Sequence, residues 1–336
     1  MSALIKGLAV VVILAAGGFG IWLWMLTSGG FDISLEDLRA KYETSDSKYI
    51  ILDGIQVHYM DEGTGPVVVL SHASFHSLRA WDGMVEDLKK DFRVIRFDFP
   101  NAGLTGFDPQ QRYSVEQNQE MITLLTEALG VERFNLIGTS SGGTVAFRYA
   151  ANYPEKLDRL ILINSAGMPR TALTNPNRAR GTAFDRWVRS YHQSKDWWRQ
   201  SLSLNVTSKP PSKEHIEMTY DMNRRAERAE PARIFRRNYI TGDPSVVLDD
   251  IKAPTLILWG MENPTVMHLE ANIIQLWMTG APTIVKKYDR LGHYPYIEEP
   301  KLFADDVRAF LSGDWDDQLR QTQRVKPEDL FLLKGN

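Results

Sequence analysis

Cysteine is absent from all 336 residues, which excludes disulfides, thiolate metal sites and a cysteine nucleophile. Neither an H-E-x-x-H zinc pair nor a G-x-x-x-x-G-K-[ST] phosphate loop occurs, so no metal and no organic cofactor is implied. Net charge is nearly missing too: 39 Lys and Arg stand against 42 Asp and Glu, giving −3, a balance that argues against nucleic acid as a partner. The most informative gap is local. No charged residue lies between Gly7 and Gly30, and Leu8 to Leu26 is an almost unbroken apolar run, long enough to cross roughly 30 Å of hydrocarbon as a helix.

Trp22 and Trp24 fall near the end of that run, where amphipathic rings prefer the membrane interface. A cleaved signal peptide is the competing reading, but its apolar core usually spans only about 7–15 residues before a small-x-small site. Here the run continues through Ile21-Trp22-Leu23-Trp24-Met25-Leu26. The expectation is a single-pass anchor over residues 1–30, with membrane contact through residues 8–26. Lys6 and the free amine precede the run and Asp32, Glu36 and Asp37 follow it. That bias places the N-terminus inside and the globular part on the extracytoplasmic, periplasmic side.

Beyond the anchor the patterning alternates. A short helix is expected over Leu35 to Tyr42. Tyr49-Ile50-Ile51-Leu52 and Ile55-Gln56-Val57-His58-Tyr59 flank Asp53-Gly54, a two-residue hairpin signal. Val67 to Leu70 is a short, fully apolar run of the kind found in a strand buried on both faces; further strands are expected over Phe92 to Phe97, Phe134 to Ile137, Leu160 to Asn164 and Ala253 to Gly260, with a last one beginning at Thr283-Ile284-Val285. Helical periodicity separates them, as at Met121, Leu124, Leu125, Ala128 and Leu129 before Gly130. Strands alternating with crossover helices imply a mainly parallel sheet wrapped by helices.

One stretch carries chemistry. Gly138-Thr139-Ser140-Ser141-Gly142 lies between a strand and a helix expected near Thr144, and fits G-x-S-x-G. Strand and helix meet there at a sharp angle, so side chains two residues either side of Ser140 would collide. Glycine removes them, and the serine Oγ is lifted into a cleft. Ser141 is the weaker nucleophile candidate, because its own −2 neighbour is Thr139.

With Gly292-His293-Tyr294-Pro295-Tyr296-Ile297-Glu298-Glu299-Pro300, which matches G-H-x-x-x-x-E-x-P, and Asp98-Phe99-Pro100-Asn101-Ala102-Gly103, close to D-x-P-G-x-G, the chain resembles the α/β-hydrolase superfamily, specifically its cap-bearing serine hydrolases and esterases. The resemblance runs from about Tyr49 to Leu311. It implies an α/β-hydrolase core over residues 31–168 and 251–313, a helical cap or lid over 169–250, and a C-terminal tail over 314–336. It also implies that Ser140 is the nucleophile, His293 the general base, and the N–H groups of Ser74 and Ser141 the oxyanion donors, with His72 structural and Asp98 a turn organiser. Two departures stand out. Ala73 follows His72 where many members have glycine, an awkward residue if the turn needs positive φ there. Asn263 occupies the position that the G-x-x-D turn reserves for the triad acid, leaving Glu262, Asn263 itself or another group such as Asp289 as the third member.

The cap segment is basic, with fifteen Lys or Arg against seven Asp or Glu between Arg170 and Ile240. That excess fits a solvated face laced with ion pairs, or attraction to anionic substrates or lipid headgroups. Trp187, Trp197 and Trp198 line an apolar acyl pocket or simply pack the cap. The function expected is hydrolysis of a small carboxylic ester with an apolar acyl group. C–C bond or amide hydrolysis on the same residues is the alternative, and a membrane-tethered, non-catalytic binding protein is the reading from another class.

Overall fold

The computed structural model describes residues 3–100, 102–169, 182–239 and 242–322. Eight strands form one sheet: β1 (Lys48–Leu52), β2 (Ile55–Glu62), β3 (Val67–Ser71), β4 (Arg93–Phe97), β5 (Phe134–Thr139), β6 (Leu157–Ile163), β7 (Thr255–Gly260) and β8 (Thr283–Tyr288), in the order β1-β2-β4-β3-β5-β6-β7-β8. The β1/β2 and β2/β4 pairs are antiparallel and the other five parallel. Every residue of β5 and β7 is buried, which is why those segments are apolar without alternation. The edge strand β1 behaves otherwise: Ile51 is exposed and its neighbour Leu52 buried.

Helices cover both faces. They are α1 (Ala3–Thr27), α2 (Leu35–Tyr42), α3 (Asp82–Leu88), α4 (Val115–Ala128), α5 (Ser141–Asn152), α6 (Ala183–Tyr191), α7 (Lys195–Leu204), α8 (Lys213–Asn223), α9 (Ala229–Asn238), α10 (Pro244–Asp249), α11 (His268–Trp277), α12 (Pro295–Glu298), α13 (Pro300–Leu311) and α14 (Asp316–Gln321). Local chemistry sets several starts. Ser34 Oγ accepts from Asp37 N at the head of α2, and Ser114 Oγ from Gln117 N at the head of α4, at 3.0 and 3.1 Å, each satisfying an amide that has no partner inside its helix. One core layer packs Met121, Ile122 and Leu125 of α4 with Val145, Phe147 and Tyr149 of α5 against the sheet. The other packs Met84, Val85 and Leu88 of α3 with Phe303, Val307 and Phe310 of α13.

Helices α6 to α9 lie between β6 and β7, on the stretch read as the cap. Helix α10 instead packs on α5 and α11, with Leu248 fully buried in the core. In the tail, Leu319 of α14 joins the second core layer; Leu330 to Leu333 lie outside the described residues. Helix α1 stands apart. Its 18-residue stretch Val10–Thr27 is long and apolar enough to cross a bilayer, and Leu8, Val10 to Leu14, Ile21 and Trp24 are exposed. Among its described side chains Leu26 alone is buried, where the last turns meet α6.

Candidate active site

Strand β5 ends at Thr139 and α5 begins at Ser141, three residues earlier than the periodicity suggested. Ser140 therefore carries the whole turn, with φ 50° and ψ −123°, a backbone conformation that costs on the order of 1–3 kcal/mol and persists only where neighbours hold it. Four backbone bonds do so. Ser140 N donates to Ile163 O at 3.2 Å, and Ser140 O accepts from Gly143, Thr144 and Ala166 N at 2.9, 3.3 and 2.9 Å. The flanking glycines are required by crowding. A Cβ on Gly138 would lie 2.6 Å from Ala146 Cβ, and one on Gly142 would overlap the carbonyl oxygens of Ser71 and His72 at the end of β3. Gly142 thus lets α5 approach a neighbouring strand, a reason distinct from relief within the turn itself.

His293, far along the chain, reaches the same point. Its Nε2 lies 3.1 Å from Ser140 Oγ, and the residue is 2% exposed. The loop that carries it is pinned from three sides. Its amide donates to Asn205 O at 2.6 Å. Glu298, buried, accepts from Gly292 N at 2.7 Å with one oxygen, and with the other from Thr207 N and Ser208 N, both at 2.8 Å. Asn164, fully buried at the end of β6 with φ 44°, donates from Nδ2 to both Gly292 O and His293 O at 2.9 Å while its Oδ1 accepts from Gly260 N at 3.0 Å. Only an amide offers donors and an acceptor together in this way. The G-H-x-x-x-x-E-x-P motif carries Glu298 but says nothing of its partners, and in the sequence Asn164 is only the end of an apolar run. Neither partner set is visible without the fold.

The turns after β7 and β8 place the three acid candidates differently. Asn263 is buried, and its Oδ1 accepts from Thr265 N and Val266 N at 2.9 and 3.1 Å, an Asx-turn that stabilises the bend. Its Nδ2 is buried with no hydrogen-bond partner among the described residues. Glu262 is exposed, and the bond it makes here is from its backbone amide to Leu291 O at 3.0 Å. Asp289 is exposed as well.

On the opposite side, Ser141 Oγ lies 2.7 Å from Ser74 Oγ and accepts from Ser74 N at 2.7 Å. As the first residue of α5, Ser141 has no intrahelical acceptor for its own N–H. The left-handed residue of this turn is Phe75 (φ 69°), while Ala73 has ordinary backbone geometry, so alanine after His72 is accommodated without strain. His72 is a brace: Nδ1 bonds Ala73 O at 2.8 Å and Nε2 accepts from Phe99 N at 3.1 Å, with burial lowering its pKa and keeping the ring neutral.

Asp98 organises the adjoining turn, accepting from Leu78 N and Leu104 N at 2.7 and 2.8 Å and bonding His58 Nδ1 at 2.8 Å. Burial pushes its carboxyl up, but His58 and the Leu104 amide outweigh this and hold it below the usual value. His58 Nε2 in turn meets Ser47 Oγ at 2.9 Å, which completes a second Ser–His–Asp chain. Ser47 sits in the turn before β1 and accepts from Thr44 N at 3.1 Å. With no helix start behind it to hold an oxyanion, this chain ties a turn. Close to the site, the buried His76 ring lies 4.4 Å from Tyr294 and 5.3 Å from His215, and burial lowers both histidines, His215 to about 4.

The family model for the alpha/beta hydrolase fold matches residues 66–300, and the chain belongs to that family. It is similar to the 2-hydroxy-6-oxo-2,4-heptadienoate hydrolase of Pseudomonas putida, 26% identical over 80% of this chain and 96% of the relative. It is also similar to the pimeloyl-[acyl-carrier protein] methyl ester esterase of Nitrosomonas europaea, 24% identical over 74% of this chain and 96% of the relative. Among solved structures, a bacterial membrane phospholipase A superposes with a TM-score of 0.68 at 24% identity, over 94% of this chain and 99% of its own.

Proposed function

We propose that this α/β-hydrolase cleaves a carboxylic ester through an acyl-enzyme while tethered to a membrane by α1. The 3.1 Å approach of His293 Nε2 to Ser140 Oγ at a strained elbow carries the reading. Ser140 Oγ attacks the carbonyl carbon, and His293 takes its proton and returns it to the leaving alkoxide. Water, deprotonated by the same imidazole, then releases the acid. Ser141 N–H, at the positive end of α5, stabilises the oxyanion, joined by Ser74 N–H once the Ser141 hydroxyl turns away from it. Asn263 stands in the acid position and supports the imidazolium weakly, so turnover is slow relative to a carboxylate triad. The assignment of residues 1–30 to the anchor, 169–250 to the cap and 314–336 to a tail belongs to this proposal. So does an extracytoplasmic active site, supported by the charge bias around α1.

A second reading has specific support. The Pseudomonas putida relative is named for a hydrolase of a 2-hydroxy-6-oxo-dienoate, so C–C bond cleavage on the same serine and histidine is the alternative. A fluorophosphonate probe tests the shared chemistry: Ser140→Ala abolishes labelling and lowers turnover about 10³-fold or more. A folded, unlabelled wild type would leave the tethered binding protein as the remaining reading. A panel of p-nitrophenyl esters beside a dienol ring-fission product then separates ester from C–C hydrolysis.

A further inference from the structure

Helix α6 has no buried residue. Its apolar side chains Phe184, Trp187, Val188 and Tyr191 recur at the spacing of one helical face, and Phe184, Trp187 and Tyr191 are 53%, 39% and 48% exposed. Their rings contact one another, Phe184 stacked on Trp187 at 5.9 Å and Trp187 edge-to-face with Tyr191 at 5.4 Å. A stripe of three aromatics open to water is unfavourable unless something covers it. The element beside it indicates what does. Trp22 and Leu26, at the end of α1, face Phe184, Val188 and Trp197 across a groove of about 360 Å³. The end of α1 is itself aromatic, with Phe19 and Trp22 stacked at 5.6 Å and Trp24 67% exposed. Two neighbouring elements thus present aromatic rings together at the C-terminal end of the apolar helix. The surrounding segment carries fifteen basic against seven acidic residues.

We infer that α6 is an interfacial helix: its aromatic face lies in the headgroup region of the bilayer that α1 spans, with the basic cap against anionic phospholipid, and the α1–α6 groove opens towards lipid. This rests on the anchor reading of α1 and is independent of whether the reaction is ester or C–C hydrolysis. It makes lipid the neighbour of α7, whose buried Trp198 meets Phe75, the residue after Ser74, at 5.6 Å.

The cysteine-free sequence allows a direct test. The full chain is reconstituted in vesicles of phosphatidylethanolamine and phosphatidylglycerol, with a polarity-sensitive fluorophore on single-cysteine variants. These are Trp187→Cys on α6, Ile13→Cys on the exposed face of α1, and Glu132→Cys on an exposed turn at the opposite end of β5. Lipids bearing a shallow spin label should quench position 187 about twofold or more over position 132, and deep-labelled lipids should quench position 13. Quenching at 13 with none at 187 beyond that at 132 overturns the inference and leaves the anchor standing; quenching at neither removes both. Tyr191→Cys, one turn on, gives the same reading where Trp187→Cys does not fold.

Discussion

The sheet end that holds Ser140 and the helix α6 obey opposite rules. Every residue of β5 is buried and Ser140 is fixed by four backbone hydrogen bonds, whereas α6 buries none of its side chains. A reactive serine needs its position set within a fraction of an ångström, and close packing on several sides supplies this. A surface helix has no such demand, and its apolar residues answer to whatever lies outside the protein. Rigidity and exposure are therefore divided between two regions that α7 joins, following α6 in the chain and ending at Asn205, whose carbonyl accepts from His293 N.

The comparison is broken most severely at Gly142. Gly142→Ala drives a methyl into the Ser71 and His72 carbonyls and should destabilise by about 3 kcal/mol or more, which is roughly 4–5 °C of Tm or more for a chain of this size. Tyr191→Ala on α6 should change stability by about 0.5 kcal/mol or less, and thermal unfolding of the two variants measures the contrast. Next comes Asn164→Asp, which cannot donate to Gly292 O and His293 O. The His293 loop should shift, and kcat should fall about 10²-fold with KM little altered, since small misplacements carry that penalty; steady-state kinetics on a p-nitrophenyl ester decides it.

Asn263→Asp should work in the other direction. A carboxylate keeps the two acceptor bonds to Thr265 and Val266 N and replaces the unpartnered Nδ2 with a charged oxygen, so kcat should rise about tenfold or more. Glu262→Gln, on an exposed side chain, should stay within about twofold. A fall in activity on Asn263→Asp would remove this turn from the triad. The smallest effect concerns acid stability. His215 is held neutral, with its pKa pulled down to about 4 by burial, while the unfolded chain protonates near the ordinary value of about 6.5. The unfolded state thus binds more protons between these limits, and stability, fully present above about pH 6.5, is lost as pH falls towards 4. His215→Gln should flatten that loss by a few degrees of Tm between pH 7 and pH 5.

Much of the site was legible because its signals are local. G-x-S-x-G reports a steric rule of one turn, and G-H-x-x-x-x-E-x-P names a histidine and a glutamate on one short loop. The helix start at Ser141 was misplaced by three residues because the apolar periodicity of α5 begins only after its glycines. Ala73 looked awkward because sequence alone does not say which residue of a turn takes positive φ; the fold gives it to Phe75. The acid position stayed open because the adjacent Glu262 and Asn263 differ only in which way one turn points them, while Asp289 follows another strand, β8; in the fold Asn263 is buried and the two carboxylates are exposed.

Alternation of apolar runs, the elbow glycines and an uncharged N-terminal run determined by themselves the α/β-hydrolase sheet, the position of Ser140 and a membrane-length helix, because each depends on contacts within a few residues along the chain. The tertiary structure alone decided that Asn164 and Glu298 hold His293 at Ser140, that a second Ser–His–Asp chain ties a turn, and that α6 turns its aromatic face outward beside α1. Those outcomes depend on groups brought together from distant parts of the chain, and no local pattern encodes the distance between them.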